Sequence, residues 1–334
     1  TWVYTYDNGG NILSKSEYAY TTGTLGAALD TISYGYGDSS WEDLLTSYDG
    51  QLLTSDEIGN LTNDGTWSYS WQHGRQLKQM SRPDASGDTE MICFRYDSSG
   101  HRISKDSGVY HASYSGGEIV YAGETTRTSY SYLGDTLTQV NIDAPTGSTS
   151  LHFTYDELGP MSVTYDGAEY FYLKNAQGDV TGLVNSSGTQ VVAYTYDAWG
   201  NPLATTGTMA DTLGKLNPFR YRGYFYDTET GLYYLQSRYY NPETGRFINA
   251  DGELADIGES VKGYNLFAYC QNNPVTMSDS EGNWPKWAKK IVAAAAIVIA
   301  VTVVAAVVVA TAGAGSAFAC AAVGAAKGAF TGFI

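Results

Sequence analysis

Tyr194-Thr-Tyr-Asp-Ala-Trp-Gly-Asn201 is the stretch on which the fold of this chain turns. Its Asp197 is followed three residues later by Gly200, and the same spacing recurs at Asp7/Gly10, Asp56/Gly59, Asp97/Gly100 and Asp156/Gly159. A Tyr precedes the Asp in four of the five copies, at Tyr6, Tyr96, Tyr155 and Tyr196. Weaker copies occur at Asn175-Ala-Gln-Gly178 and Asn185-Ser-Ser-Gly188. Asp or Asn closes a turn with its side chain, and Gly accepts the positive φ that such a turn needs. Each copy therefore predicts a hairpin turn. Spacings of 49, 41, 59 and 41 residues between the strong copies fit a unit of roughly 20 residues with diverged copies between them.

Outward from each turn the chain alternates with a period of two: Trp67-Ser-Tyr69-Ser-Trp71, Tyr130-Ser-Tyr132, Leu151-His-Phe153-Thr-Tyr155 and Tyr194-Thr-Tyr196. Alternation places aromatic rings on one face of a sheet and Ser or Thr on the other. The fold class expected is mainly β, with antiparallel hairpin repeats forming a wall rather than a compact sandwich. Two short helical signals interrupt it, Ser40-Trp-Glu-Asp-Leu-Leu45 with a Ser cap and Asn265-Leu-Phe-Ala-Tyr-Cys270.

Composition agrees. The 334 residues include 29 Tyr, 10 Phe and 7 Trp, and only 16% are charged. That aromatic load argues against disorder. A net charge of −16 lacks the basic footprint of a general nucleic-acid binder, so no nucleic-acid partner is expected. Cys93, Cys270 and Cys320 are far apart, odd in number and without a CxxC pair, which fits free buried thiols better than a disulfide framework. His73, His101, His111 and His152 show no metal spacing, and the acidic turn Asp7–Asn11 offers too few ligands for Ca²⁺, so no metal or cofactor is expected. No phosphate loop, nucleophile elbow or dinucleotide fingerprint is present.

Residues 284–334 are different in kind. They hold no Asp, Glu or Tyr and only four Lys. Ile291–Ala312 has 20 apolar residues and two Thr, and as a helix would reach about 33 Å, against about 30 Å of membrane hydrocarbon. Lys286, Lys289 and Lys290, with Trp284 and Trp287, precede it as interface anchors. A ladder of small residues at Ser316, Cys320, Gly324, Gly328 and Gly332 allows close helix contact. A C-terminal apolar α-helical segment that inserts into a membrane through residues 291–312 is expected; burial of the same helix in the interior of the wall is the competing reading. The chain opens at Thr1 within a strand-like run, which suggests the C-terminal piece of a longer polypeptide.

The Tyr-Asp-x-x-Gly turns, Gln177-Gly-Asp-Val-Thr-Gly182, and the run from Asn217-Pro-Phe-Arg-Tyr-Arg-Gly223 through Gly231-Leu-Tyr-Tyr-Leu-Gln-Ser-Arg-Tyr-Tyr240 and Gly245-Arg-Phe247 to Tyr264-Asn-Leu-Phe-Ala-Tyr-Cys-Gln-Asn-Asn-Pro-Val275 resemble the Rhs/YD-repeat family, Gram-positive type. Its members include polymorphic toxins, toxin-complex C components and teneurins. The resemblance implies part of a spiral β shell over residues 1–174, a repeat-associated core domain over 175–283 and a hydrophobic tail over 284–334. It also implies an aspartyl autoprotease in the core. Gly245-Arg-Phe-Ile-Asn-Ala-Asp251 and Asp279-Ser-Glu-Gly282 match the family's motifs, which makes Asp251 and Asp279 the carboxylates, Arg246 an electrostatic helper and Asn283–Trp284 the scissile bond. Gly252 and Ser280 stand where Pro is usual, and Asn283 where Leu is common. A pair of nearby carboxylates cannot easily both ionise, so one serves as base and the other as acid. The alternative is that both aspartates only form turns.

The function implied is a bacterial toxin carrier, secreted, at the cell surface or membrane-associated. Its own C-terminal effector would be the cargo, and an immunity protein a further partner. The alternative is a surface adhesion protein that displays its repeats and uses the tail as an anchor. Protection of residues beyond 284 from protease separates an enclosing shell from a displayed array.

Overall fold

The computed structural model describes residues 1–115, 118–252, 265–279, 282 and 286–287. Residues 288–334, including 291–312, and the bond between 283 and 284 lie outside the described residues. Among the described residues no helix is long and apolar enough to cross a membrane.

The hairpins form one long antiparallel wall in two sheets. The first runs in sequence order through Trp2–Tyr6, Ile12–Glu17, Asp30–Gly35, Ser47–Tyr48 and Gln51–Leu52. Only Leu53 separates it from the second, a 15-stranded sheet that starts at Thr54–Ser55 and ends at Pro202–Thr206. That sheet is also a meander in sequence order, apart from Glu118–Ala122, which pairs with Arg102–Ser115 alone. It continues without a break past residue 174, where Lys174 pairs with Val180. The wall curls until its first hairpin meets its last turn. There Tyr4 packs on Trp199 at 5.7 Å between ring centroids, and Lys15 lies 3.7 Å from Asp197.

The turns follow one pattern. Asp56 Oδ1 accepts the N–H groups of Ile58 and Asn60, and Gly59 donates to the Asp56 carbonyl with a φ of 82°. Asp97, Asn175, Asn185 and Asp197 repeat this, each accepting from the second and fourth residues after it. Asp7 makes the fourth-residue bond, to Asn11. A further copy that the sequence reading did not include, Asp84-Ala-Ser-Gly87 after Pro83, folds in the same way. Asp156 and Gly159 instead pair directly across a two-residue hairpin.

The Tyr before the turn has its own task. Tyr96 donates its hydroxyl to the Leu77 carbonyl at 2.9 Å and Tyr196 to Val180 at 2.9 Å, and Tyr155 donates to Leu137. Each reaches a strand 16 to 19 residues back, which gives the roughly 20-residue repeat a physical cause. Alternation holds as well: Trp67 and Tyr69 are buried while Ser68 and Ser70 are exposed.

The aromatic face is covered by residues 217–252 and 265–279. A four-stranded sheet of Phe225–Asp227, Leu232–Tyr234, Tyr239–Asn241 and Arg246–Phe247 lies among the wall's rings. Phe219 meets Phe153 edge-on at 5.0 Å, and Phe225 meets Tyr130 at 5.4 Å. An ionic clasp crosses this interface, with Arg102, Lys105 and Asp227 buried and Glu229 at its exposed edge. Arg102 makes two bonds to Asp227, at 2.5 and 3.1 Å, and Lys105 bonds Asp227 at 3.0 Å and Glu229 at 2.7 Å. Phe94, Tyr130, Phe225 and Tyr234 surround the Arg102 guanidinium.

Neither short helical signal gives an α-helix. Around Trp41 there is a single turn, closed by Asp38 rather than Ser40, because Asp38 Oδ1 accepts the N–H groups of Ser40 and Trp41. Residues 269–272 form a distorted 3-10 turn in which Cys270 and Gln271 have φ near +50°. Tertiary bonds set this shape, since Asn272 donates to the Gly10 carbonyl and Asn265 to Asn11 Oδ1.

Candidate functional site

The hairpin between Tyr234 and Tyr239 carries Arg238, which is 4% exposed and lies over the Phe247 ring at 3.6 Å. A guanidinium in such surroundings requires acceptors on every side. Nη1 donates to the Leu266 carbonyl at 3.0 Å and Nε to the Gly282 carbonyl. Nη2 faces both acidic candidates, at 3.0 Å from Asp251 Oδ2 and 3.2 Å from Asp279 Oδ2. Burial lowers the Arg238 pKa from its ordinary value, against the pull of the two carboxylates, and the charge of Arg75 adds to the lowering.

Asp251 follows the strand Arg246–Phe247 and is held through its main chain. Its N–H donates to the Leu266 carbonyl at 3.0 Å, and the preceding Ala250 carbonyl accepts from Arg75 at 2.5 Å. Asp279 is 1% exposed, and its N–H donates to the Tyr224 hydroxyl oxygen at 2.8 Å. That oxygen also accepts from the Tyr269 hydroxyl at 3.1 Å. Gly282 turns at a φ of +70°, and a Cβ there would lie 2.7 Å from the Leu235 carbonyl oxygen, so the chain approaches the hairpin more closely than any side chain permits.

Of the residues expected from sequence, Asp251 and Asp279 share one nitrogen. Arg246 does not join them in these bonds. It is 2% exposed and donates to Asn11 Oδ1 at 3.3 Å, to the Asp43 carbonyl at 2.7 Å and to Asn265 Oδ1 at 3.4 Å, stitching the first sheet to the core segment. The cation beside the carboxylates is Arg238, with Tyr224 and Arg75 fixing the backbone around them. A signal for Arg238 did exist: an Arg inside the apolar run Leu232–Tyr240 is buried, and a buried Arg needs an acid. No spacing pointed to Tyr224 or Arg75. Chemically, two carboxylates that converge on one nitrogen can divide the roles of acid and base, while the cation between them offsets their mutual repulsion.

Among the described residues no three His, Cys, Asp or Glu side chains are grouped to hold a metal ion. Cys93 and Cys270 are free thiols, and burial pushes the Cys270 thiol up to about 12.

The teneurin YD-shell family profile matches residues 1–275. The chain belongs to that family. A tRNA3(Ser)-specific nuclease WapA of Bacillus spizizenii is 34% identical over 282 residues, covering 84% of this chain and 11% of the nuclease. Toxin subunit YenC1 of Yersinia entomophaga is 26% identical over 299 residues, covering 86% of this chain and 29% of the subunit. The crystal structure of TcdB2-TccC3-Cdc42 superposes with a TM-score of 0.59 at 19% identity, over 84% of this chain and 13% of that one, a likeness of fold. The Rhs/YD-repeat resemblance read from the turns is thus a family membership. This YD-shell chain spans about a tenth of the nuclease and under a third of the toxin subunit.

Proposed function

We propose that this YD-shell chain is the C-terminal part of an Rhs-type toxin carrier, whose wall encloses an effector borne on the same polypeptide and frees it by self-cleavage. The observation that carries the reading is Arg238, which joins Asp251, Asp279 and the Gly282 carbonyl in one hydrogen-bonded cluster. The division proposed is a shell over 1–174, a core domain over 175–283 whose first three strands, Val180–Asn185, Gln190–Tyr196 and Pro202–Thr206, extend the shell sheet, and a hydrophobic segment from 284 that inserts into a membrane through 291–312. Likeness to a nuclease and a toxin subunit supports a carrier role at or outside the bacterial surface, with an immunity protein as the partner that protects the producer.

Cleavage at Asn283–Trp284 is a hydrolysis. The ionised carboxylate of the pair takes a proton from water as the water oxygen attacks the Asn283 carbonyl carbon. The protonated carboxyl gives its proton to the Trp284 nitrogen, and the C–N bond breaks to leave a carboxyl and an amine. Arg238 orients both aspartates and holds the chain one residue before the bond. The purified full chain is expected to split after residue 283, as read by mass spectrometry, and Asp251→Asn is expected to lower the rate at least a hundredfold, the scale of general acid–base catalysis. An intact chain, or an Asp251→Asn chain that splits as fast, refutes the cleavage.

A further inference from the structure

Asp251 is held from two sides, and one of them is the wall. On the core side, the Ile248 N–H donates to the Tyr239 carbonyl at 3.0 Å and the Asp251 N–H to Leu266 at 3.0 Å. The carbonyls of the same stretch face the other way. Ile248 O accepts the Leu61 N–H at 2.9 Å, and Ala250 O accepts Arg75 Nη1 at 2.5 Å. Leu61 and Arg75 both belong to the wall, more than 170 residues before the strand they grip. Arg75 is itself seated. Its Nη1 also reaches the Ile58 carbonyl at 3.4 Å, and Asn60 Nδ2 donates to the Gly74 carbonyl at 2.7 Å, locking turn 56–60 to turn 73–76.

We infer that the carboxylate pair is completed by closure of wall residues 54–76 over the core segment, with Arg75 as the positioning residue that sets the place of Asp251. This rests on the reading of Asp251 and Asp279 as the self-cleaving pair and adds no chemical step to it. Three observations converge. The Arg75 bond is made to the peptide immediately before Asp251, so its loss moves the carboxylate rather than a distant loop. Its charge also acts on the site, since after burial it is Arg75 that lowers the Arg238 pKa, against Asp251 and Asp279. Both wall contacts come from a single unit of the repeat, so they form together or not at all. Self-cleavage is thereby made conditional: a core segment not yet enclosed has Asp279 and Arg238 but lacks the grip that aims Asp251. Effector release then follows shell assembly and cannot precede it.

The test uses the full chain, with self-cleavage timed after refolding from denaturant. Arg75→Met keeps the length and apolar stem but removes the donor and charge, whereas Arg75→Lys keeps both. We expect Arg75→Met to slow cleavage about ten- to a hundredfold, the scale of a misplacement near 1 Å, with Arg75→Lys restoring most of the rate at an unchanged thermal midpoint. If Arg75→Met does not fold, Arg75→Leu, which also lacks donor and charge, replaces it in the same comparison. Equal rates for wild type and Arg75→Met, with Asp251→Asn inactive, overturn the role of Arg75 and leave the aspartate pair standing. Equal slowing by Met and Lys also overturns it, because a donor would then be irrelevant. Undiminished cleavage by Asp251→Asn removes the underlying reading and this inference with it.

Discussion

Gly200 shows how one residue serves two masters. It sits at a φ of +88° in the Asp197 turn, and a Cβ there would lie 2.5 Å from the Tyr221 ring. Gly74 has nearly the same φ, +84°, with nothing within 4 Å of its missing Cβ. Gly200→Ala is expected to cost about 3 kcal/mol, from left-handed strain plus overpacking, and Gly74→Ala about 1 kcal/mol from strain alone. Thermal denaturation of the two variants checks the difference; equal losses would mean that Tyr221 yields freely. The turn role of these glycines was legible in the sequence because a repeated Asp-x-x-Gly has a single local explanation. The tight approach of Tyr221 was not, because it joins residues on different layers. The arginines divide in the same way. Arg246 adjoins the motif and looked like the helper, yet its guanidinium turns toward Asn11 and Asp43, while Arg238 reaches the aspartates across a hairpin.

At the scale of the hairpin, the tyrosine strut is what makes the repeat more than a series of turns. Tyr196 donates to the Val180 carbonyl, and burial holds its phenol above the ordinary pKa, so the strut keeps its proton through neutral pH. Tyr196→Phe leaves the ring packing in place and removes one bond, for an expected loss of about 1 kcal/mol in urea denaturation. A loss below 0.3 kcal/mol, well under the usual value of such a bond, would show that the hydroxyl is incidental and that ring packing alone sets the spacing. Strands and their facing were readable from period-two alternation, since which face is buried follows from side-chain geometry alone. The two helical signals failed because short segments take their shape from partners: Asp38 reshapes one, and contacts with Gly10 and Asn11 reshape the other.

Across the whole molecule, the wall and the residues it encloses depend on each other, and the Arg102–Asp227–Lys105 clasp is where that dependence concentrates. Burial alone would raise the Asp227 pKa, but Arg102 and Lys105 outweigh it and hold the carboxyl below its ordinary value. A depressed folded pKa means stability that is present above the unfolded pKa, near 3.9, and is lost as pH falls through the folded one. Asp227→Asn is expected to cost about 3–5 kcal/mol at neutral pH, because it leaves two buried cations short of a partner. The gap between wild type and variant should narrow below about pH 4, where the unfolded wild-type chain takes up a proton that the folded carboxyl still resists. Urea denaturation across pH reads both effects, and a gap that stays constant into acid would contradict the clasp. The sequence by itself determined the β class, most of the turn positions, the buried face of the alternating strands and the family, because all four follow from local geometry repeated many times. Tertiary structure alone decided that the wall curls onto residues 217–252 and 265–279, that Arg238 rather than Arg246 joins the two aspartates, and that Arg75 reaches across to the peptide before Asp251. The contacts of Arg238 and Arg75 alone link residues 13 to 175 positions apart, and their energy depends on burial created only when the wall closes.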